Sequence, residues 1–360
     1  MFCTQPFNHI DVIVENEQVL LQPCNVWDIK KYSIDEYKQN IESLKDVLAD
    51  SYHYPGCRVC FNNDKNEVRS RRVAQNQFSK DNNLSITKLQ SLGIRYGTLC
   101  NSKCMICSHH RSSSWVTDSE KLGIEVEARY KYKKNLLPGV DIFFNNFDLD
   151  DLRYVEFHGG EPLMQDYPTE FLRRIKKLDQ LIVKFNTNLT VLPSIELENF
   201  LQKCKRVDLL LSVDDVGDRY EMLRYPGKWD TFTKNMALVK QKGYRLMAYN
   251  CLSSLNVFYA VEYYKWAIKN FGDEVHSQFV VDKKHLDISY LPQHAKDIVL
   301  EKIENYKGKI FDSIRAKLNI QNEDYSKELV KYIADLDAIR KTNYPEVFSE
   351  WWEILNKRIS

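Results

Sequence analysis

An α/β architecture built on a parallel sheet follows from three observations in this chain. Six short runs, Leu92–Tyr96, Tyr154–Phe157, Leu181–Phe185, Val207–Val213, Arg245–Asn250 and His276–Val281, have the length and the β-branched or aromatic character of strands. Helical stretches lie between them, at Glu120–Lys134, Thr169–Leu178, Ile195–Cys204, Asp230–Lys242 and Val257–Asn270. Parallel strands need such crossovers, so the series reads as successive β/α units of one sheet. Six units are too few to close an eight-unit barrel. The expected form is an open (β/α)6 TIM-like partial barrel, with ligands at the C-terminal ends of its strands.

Residues 1–85 read as a small cysteine-bearing module. Val12-Ile13-Val14 and Val19-Leu20-Leu21 flank the polar turn Glu15–Gln18, which predicts a hairpin. Ser33 and Glu36 have capping-box spacing, and Tyr37, Ile41, Leu44 and Leu48 stripe the helix that follows. Cys3 and Cys24 bracket the hairpin, and Cys57-x2-Cys60 lies beyond the helix.

The barrel occupies residues 86–285. In its Asp230–Lys242 helix, Phe232, Met236 and Val239 share a face with Trp229, and Gly243 is placed to cap the C-terminus. Residues 286–360 read as a helical extension, with Leu329, Tyr332, Leu336 and Ile339 in one stripe. The aromatic cluster Phe348, Trp351 and Trp352 is expected to pack on the barrel.

The 360 residues carry a net charge of +1, which gives no reason to expect nucleic acid or an anionic membrane as partner. The basic run Arg69-Ser70-Arg71-Arg72 reads as solvated surface. No stretch has the apolar length of a membrane span, and the N-terminus lacks the basic start and apolar core of a secretory signal. Nine cysteines in such a chain favour metal or redox chemistry over a disulfide framework and point to a reducing cytoplasm.

Chemistry concentrates in two runs. Cys100, Cys104 and Cys107 stand at C-x3-C-x2-C spacing after the first barrel strand. Three thiolates suit three irons of a [4Fe–4S] cluster and leave the fourth iron without a protein ligand. A zinc site completed by His109 or His110 is the alternative at this point. After the second strand comes Phe157-His158-Gly159-Gly160-Glu161-Pro162-Leu163, whose glycines let backbone approach a ligand closely. The two runs together resemble the radical S-adenosylmethionine (SAM) superfamily.

That resemblance implies that Cys100, Cys104 and Cys107 ligate the cluster and that SAM chelates its open iron. It implies contacts to the methionyl amino group from Gly159, Gly160, Glu161 and Pro162. Ile106, at a position usually aromatic, would pack beside adenine. Asn188, in Asn186-Thr187-Asn188, stands where relatives write Thr-Asn-Gly. Ser212, in Leu211-Ser212-Val213-Asp214, and Arg224 resemble the pair that binds the SAM carboxylate. The implied reaction is reductive cleavage of SAM to a 5′-deoxyadenosyl radical that takes hydrogen from a substrate. A low-potential donor of flavodoxin or ferredoxin type would supply the electron.

Cys3, Cys24, Cys57 and Cys60 resemble a SPASM or twitch auxiliary-cluster module placed before the barrel instead of after it. A second [4Fe–4S] cluster is the expectation there, with zinc as the alternative. Cys204 and Cys251 read as buried apolar residues. Cys251, Asp214, Asp215 and His158 lie near strand ends and are the candidates for completing the reaction. A peptide or protein substrate is expected first, and a carbohydrate, nucleoside or cofactor precursor second. A catalytically inactive metal-stabilised binding protein is the reading of another class, against which the intact Cys100, Cys104, Cys107 and Glu161 argue.

Overall fold

The computed structural model describes residues 3–15, 18–24, 30–50, 57–65, 70–85, 87–131 and 139–357. Its strands are β1 His9–Glu15, β2 Gln18–Gln22, β3 Ser91–Tyr96, β4 Tyr154–His158, β5 Ile182–Thr187, β6 Arg206–Ser212, β7 Arg245–Leu252 and β8 Val275–Phe279. They follow the order β2-β1-β3-β4-β5-β6-β7-β8, with β2 and β8 as edges. The sheet is therefore open, as six β/α units require. The chain divides into a first unit, Met1–Leu99, Tyr132–Asn186 and Pro193–Asp208, and a second, Cys100–Lys131, Thr187–Leu192 and Leu209–Ser360.

In the first unit β1 and β2 form the expected antiparallel hairpin, with Val12 opposite Leu21; residues 16 and 17 of its turn lie outside the described residues. The hairpin is not confined to an N-terminal module. β1 pairs in parallel with β3, Val12 against Ile94, and β3 continues in parallel to β4 and β4 to β5. Val12, Val14, Leu92, Ile94, Val155, Phe157, Val183 and Phe185 are buried, every second residue along their strands. The intervening positions carry His9, Asp11, Ser91, Arg95, Glu156, His158 and Lys184. Strands of a parallel sheet are usually apolar on both faces; these are apolar on one and mixed on the other, where Ile13, Tyr154 and Ile182 stand among the charged residues.

Helices cover the apolar face. Phe157 lies 5.7 Å from the ring of Phe171 in the helix Tyr167–Arg174, and 5.2 Å from Phe185. Phe143, from the helix Asp141–Asn146, meets Phe171 at 6.1 Å. Burying one such ring contributes about 2–3 kcal/mol. The Ser33–Glu36 box forms as expected: Ser33 N–H donates to Glu36 Oε2 at 2.9 Å, and Glu36 N–H to Ser33 Oγ at 3.3 Å. On the helix it opens, Ile34–Asp50, Tyr37 is buried, while the side chains of Leu44 and Leu48 lie outside the described residues.

The continuous helix expected over 120–134 is replaced by two short ones, Trp115–Lys121 and Ala128–Lys131; its remainder lies outside the described residues. The break follows Leu122, where Gly123 takes φ +71°, a conformation that ends a helix. The helix expected over Thr169–Leu178 begins at Tyr167, with Pro168 in its first turn, and stops at Arg174. That expected over Ile195–Cys204 spans Ile195–Leu201, capped by Ser194 Oγ, which accepts from Leu197 N–H at 3.1 Å.

In the second unit β7 and β8 run parallel, Cys251 against Gln278. The helix Trp229–Gln241 buries Phe232 and Val239. The C-terminal segment is helical as expected, and its Ser326–Arg340 helix buries Leu329, Ile333 and Leu336. Phe348 and Trp351 are buried; Trp351 stacks on Phe258 at 5.2 Å and donates its indole N–H to Ser254 O at 2.8 Å. No helix among the described residues is long and apolar enough to cross a membrane.

Candidate functional site

The cysteine loop leaves β3 and ends at the helix Trp115–Lys121, and side chains hold its carbonyls within the second unit. Cys100 O accepts from Ser114 Oγ at 2.6 Å and Ser102 O from Ser112 Oγ at 2.6 Å. Cys104 O accepts from Trp115 Nε1 at 2.8 Å, Met105 O from the Tyr332 hydroxyl, and Cys107 O from Lys283 Nζ at 2.8 Å. Two backbone bonds fix the loop from the other side. Lys103 N–H donates to Tyr225 O at 2.6 Å and Met105 N–H to Leu223 O at 2.9 Å.

With the loop held in this way, donors face its sulfurs. Cys100 Sγ accepts from Ser102 N–H at 3.4 Å and Asn188 Nδ2 at 3.9 Å. Cys104 Sγ accepts from Arg224 Nη1 at 3.7 Å. Cys104 and Cys107 are themselves hydrogen-bonded, which raises the Cys104 pKa and lowers that of Cys107. Cys100 lies close enough to Cys107 to act on its charge. Donors aimed at sulfur favour thiolates, the form a cluster needs. Among the described residues no three His, Cys, Asp or Glu side chains crowd around the position of a single metal ion. A [4Fe–4S] cluster bonds each thiolate to a different iron, and the three cysteines of this loop fit it.

Arg224 is buried, and its Nε lies 2.7 Å from Asp214 Oδ2. Burial works against its charge, but Asp214 and Cys104 hold the proton and its pKa is raised. Asp214 is anchored in turn. Its Oδ1 accepts from Cys251 N–H at 2.9 Å, and its carbonyl from Asn250 Nδ2 at 2.7 Å and Asn256 Nδ2 at 2.9 Å. Asp214 is thus fixed in place just past the end of β6. The next residue, Asp215, is raised to about 6 by burial and pairs with Arg219 at 2.9 Å. Cys251 is buried and pushed up to about 12, so its thiol stays protonated; its sulfur accepts from Gln278 Nε2 at 3.4 Å. Ser212 and Ile106 are half-buried.

In the first unit the Gly-Gly-Glu-Pro turn follows β4 directly. Gly160 has φ +55°, and Glu161 N–H donates to Leu99 O at 2.7 Å. A Cβ on Gly160 would lie 2.1 Å from that same oxygen. Leu99 is the residue before Cys100. The Glu161 carboxylate is 1% exposed and caps its own turn, Oε1 accepting from Leu163 N–H at 3.1 Å. Pro162 opens the short 3-10 turn Pro162–Met164. His158, the last residue of β4, is half-buried, and burial lowers its pKa although Glu156 and Asp11 pull the other way. Glu156 accepts from Tyr154 OH at 3.0 Å and from Asn186 Nδ2 at 3.0 Å. Burial would raise its pKa, but Lys184, at 3.2 Å, with His158 and Arg71, holds it down to about 2.

Also in the first unit, Cys3, Cys57 and Cys60 lie close enough for each of the latter two to act on Cys3, whose pKa burial raises to about 11. Cys24 Sγ donates to Gln5 Oε1 at 3.6 Å, and Gln5 also bonds Cys3 through its backbone. The buried pair Arg72–Asp64 stands beside them, and Arg72 acts on both Cys3 and Cys57. Four thiols of this kind would suit a cluster of several irons, whereas among the described residues no three of them crowd around one position as a zinc ion needs.

Residues 94–259 match the radical SAM superfamily. The matched stretch contains the cysteine loop, the Gly-Gly-Glu-Pro turn, Ser212, Arg224 and Cys251. Among solved structures the chain is similar to a histidine-tagged anSMEcpe with bound AdoMet, at 18% identity over 53% of this chain and 49% of that one, TM-score 0.35. It is also similar to Streptococcus suis SuiB bound to its precursor peptide SuiA, at 14% identity over 92% and 70% of the two chains, TM-score 0.35. SuiB bound to S-adenosylmethionine gives 16% identity over 82% and 67%, TM-score 0.36. The chain spans about half the length of the first of these structures. No curated protein matches it.

The residues that grip the cysteine loop escape a reading of motif spacing. Tyr332 reads in the sequence only as part of a helical stripe, and neither Lys283 nor Trp115 carries a local signature. Asp214 is legible as a strand-end acid but not as the partner of Arg224.

Proposed function

We propose that the chain is a radical SAM enzyme in which Cys100, Cys104 and Cys107 hold a [4Fe–4S] cluster. The observation that carries this reading is the cysteine loop itself: inside the stretch that matches the radical SAM superfamily, its carbonyls are tied down while donors face its sulfurs. With SAM bound, such a cluster supplies reductive cleavage of the sulfonium to methionine and a 5′-deoxyadenosyl radical, which removes hydrogen from a substrate. Gly159, Gly160, Glu161 and Pro162 would receive the methionyl end, with Asn188, Ser212 and Arg224 as further contacts and Ile106 beside adenine. Cys251, a protonated buried thiol, is the group suited to return a hydrogen atom, ahead of Asp214 and His158. Asp214 is committed to Arg224, and His158 to the charges of its strand face.

The substrate proposed first is a peptide or protein side chain, and a small carbohydrate-like, nucleoside or cofactor molecule second. The resemblance of Cys3, Cys24, Cys57 and Cys60 to an auxiliary-cluster module supports that order, and we assign them a second [4Fe–4S] cluster. A flavodoxin- or ferredoxin-type protein in a reducing cytoplasm would deliver the electron.

Anaerobically reconstituted, reduced protein is expected to release 5′-deoxyadenosine from SAM, and Cys104→Ala is expected to release none. No release from the intact protein under several reductants would leave a metal-stabilised binding protein. Iron content tests the second cluster: about eight irons per chain if both sites are filled, against about four with zinc at about one equivalent if only the loop holds a cluster.

A further inference from the structure

The segment that carries Arg224 runs alongside the cysteine loop in register. Lys103 N–H bonds Tyr225 O and Met105 N–H bonds Leu223 O, so residue 104 faces residue 224 between the two bonds. This ladder aims the Arg224 side chain at Cys104 Sγ, with Nη1 at 3.7 Å. The opposite side of the guanidinium meets Asp214 Oδ2, with Nε at 2.7 Å, and Asp214 is itself fixed by Cys251 N–H at 2.9 Å. Asp214, Arg224 and Cys104 are all buried. Held between Asp214 and Cys104, the arginine fork is oriented toward the sulfur before any further anion arrives.

We propose that Arg224, positioned by Asp214, donates a hydrogen bond to the sulfur of cluster ligand Cys104 and thereby raises the reduction potential of the cluster. The inference rests on the cluster assignment above and goes beyond it by assigning Arg224 a role that exists before SAM arrives. Reduction adds negative charge to the cluster and its thiolates. A cation bonded to one of those sulfurs favours the reduced state, and hydrogen bonds to sulfur are one means by which proteins set such potentials. The Leu223 and Tyr225 carbonyls place the donor through the backbone, and Asp214 sets the angle of its side chain.

The test is a redox titration of the anaerobically reconstituted full chain, followed by electron paramagnetic resonance, with no SAM present. Iron per chain is measured first. At equal iron content Arg224→Gln is expected to titrate at a more negative potential than wild type. An unchanged potential, with only SAM affinity reduced, would show that Arg224 serves the SAM carboxylate alone and would overturn the proposal. Wild-type protein labelled with 15N-arginine gives a second reading that needs no variant. Its reduced cluster should show a 15N coupling, weakened in Asp214→Asn, and its absence from wild type overturns the proposal even where Arg224→Gln fails to fold. A wild-type chain that binds no iron defeats the cluster assignment itself, whereas a loaded chain without coupling defeats only the role of Arg224.

Discussion

Arg340 Nε lies 2.8 Å from Asp118 Oδ2, and both side chains are almost fully buried. The other oxygen of Asp118 takes Lys103 Nζ at 2.6 Å, and the Arg340 guanidinium covers the Trp115 ring at 4.8 Å. Since Trp115 bonds Cys104 O, the pair ties the end of the Ser326–Arg340 helix to the support of the cysteine loop. Removing one member of a buried ion pair leaves the other charge short of its partner and costs about 3–5 kcal/mol. Lys103 remains to Asp118, so Arg340→Met is expected near the lower end, about 3 kcal/mol. Urea unfolding measures it, and a loss under about 1 kcal/mol would show the pair to be energetically idle.

Tyr332 makes a narrower contact with the same loop. Its hydroxyl bonds Met105 O, between Cys104 and Cys107. Tyr332→Phe keeps the ring and orphans one carbonyl, a loss of about 1 kcal/mol. Reconstituted Tyr332→Phe is expected to reach the iron content of wild type but to lose iron to a chelator faster. Equal rates of loss would show that the remaining contacts suffice to hold the loop.

These two contacts mark where the sequence stops being readable. Strands are legible because short runs such as Tyr154–Phe157 and Leu181–Phe185 are rich in β-branched and aromatic residues, a pattern local to a few residues. The thiol spacing of Cys100, Cys104 and Cys107 is equally local. The pairing of Val12 with Ile94 is not, so the hairpin reads as a separate module although β1 continues the main sheet. Arg224 meets Cys104 across 120 positions of chain, and Tyr332 meets Met105 across 227. Nothing in either neighbourhood announces the partner. At Gly123 the signal is present but outweighed by helix-forming neighbours, so one long helix is expected where two short ones occur.

Glu156 gives the protein an acid-dependent stability term of known sign. Its folded pKa of about 2 lies below the ordinary glutamate value of 4.5. Between these values the unfolded chain binds the extra proton, so stability is present above pH 4.5 and lost as pH falls toward 2. The full effect is about 3 kcal/mol. Urea unfolding at about pH 5 and about pH 3 is expected to show wild type losing more stability on acidification than Glu156→Gln. Parallel losses in the two proteins would mean that Lys184 and its neighbours do not hold the carboxylate.

Gly160 brings the Gly-Gly-Glu-Pro turn against the backbone of Leu99. A Cβ there would stand 2.1 Å from Leu99 O and 2.7 Å from Leu99 C, both main-chain atoms that no rotamer change can move aside. The same oxygen accepts Glu161 N–H at 2.7 Å, so displacing it also breaks that bond. Because Leu99 leads straight into Cys100, a shift of its peptide moves the first thiolate. Gly160→Ala is expected to destabilise the protein by at least about 3 kcal/mol, the combined effect of positive φ and overpacking. It should also reconstitute with fewer irons than wild type. Gly123→Ala is the control, since Gly123 has a comparable φ of +71° but no atom within 4 Å of an added Cβ. That variant should lose only about 1 kcal/mol and keep its iron. Equal behaviour of the two variants would reduce the Gly160 effect to backbone strain and remove the steric role of the Leu99 carbonyl.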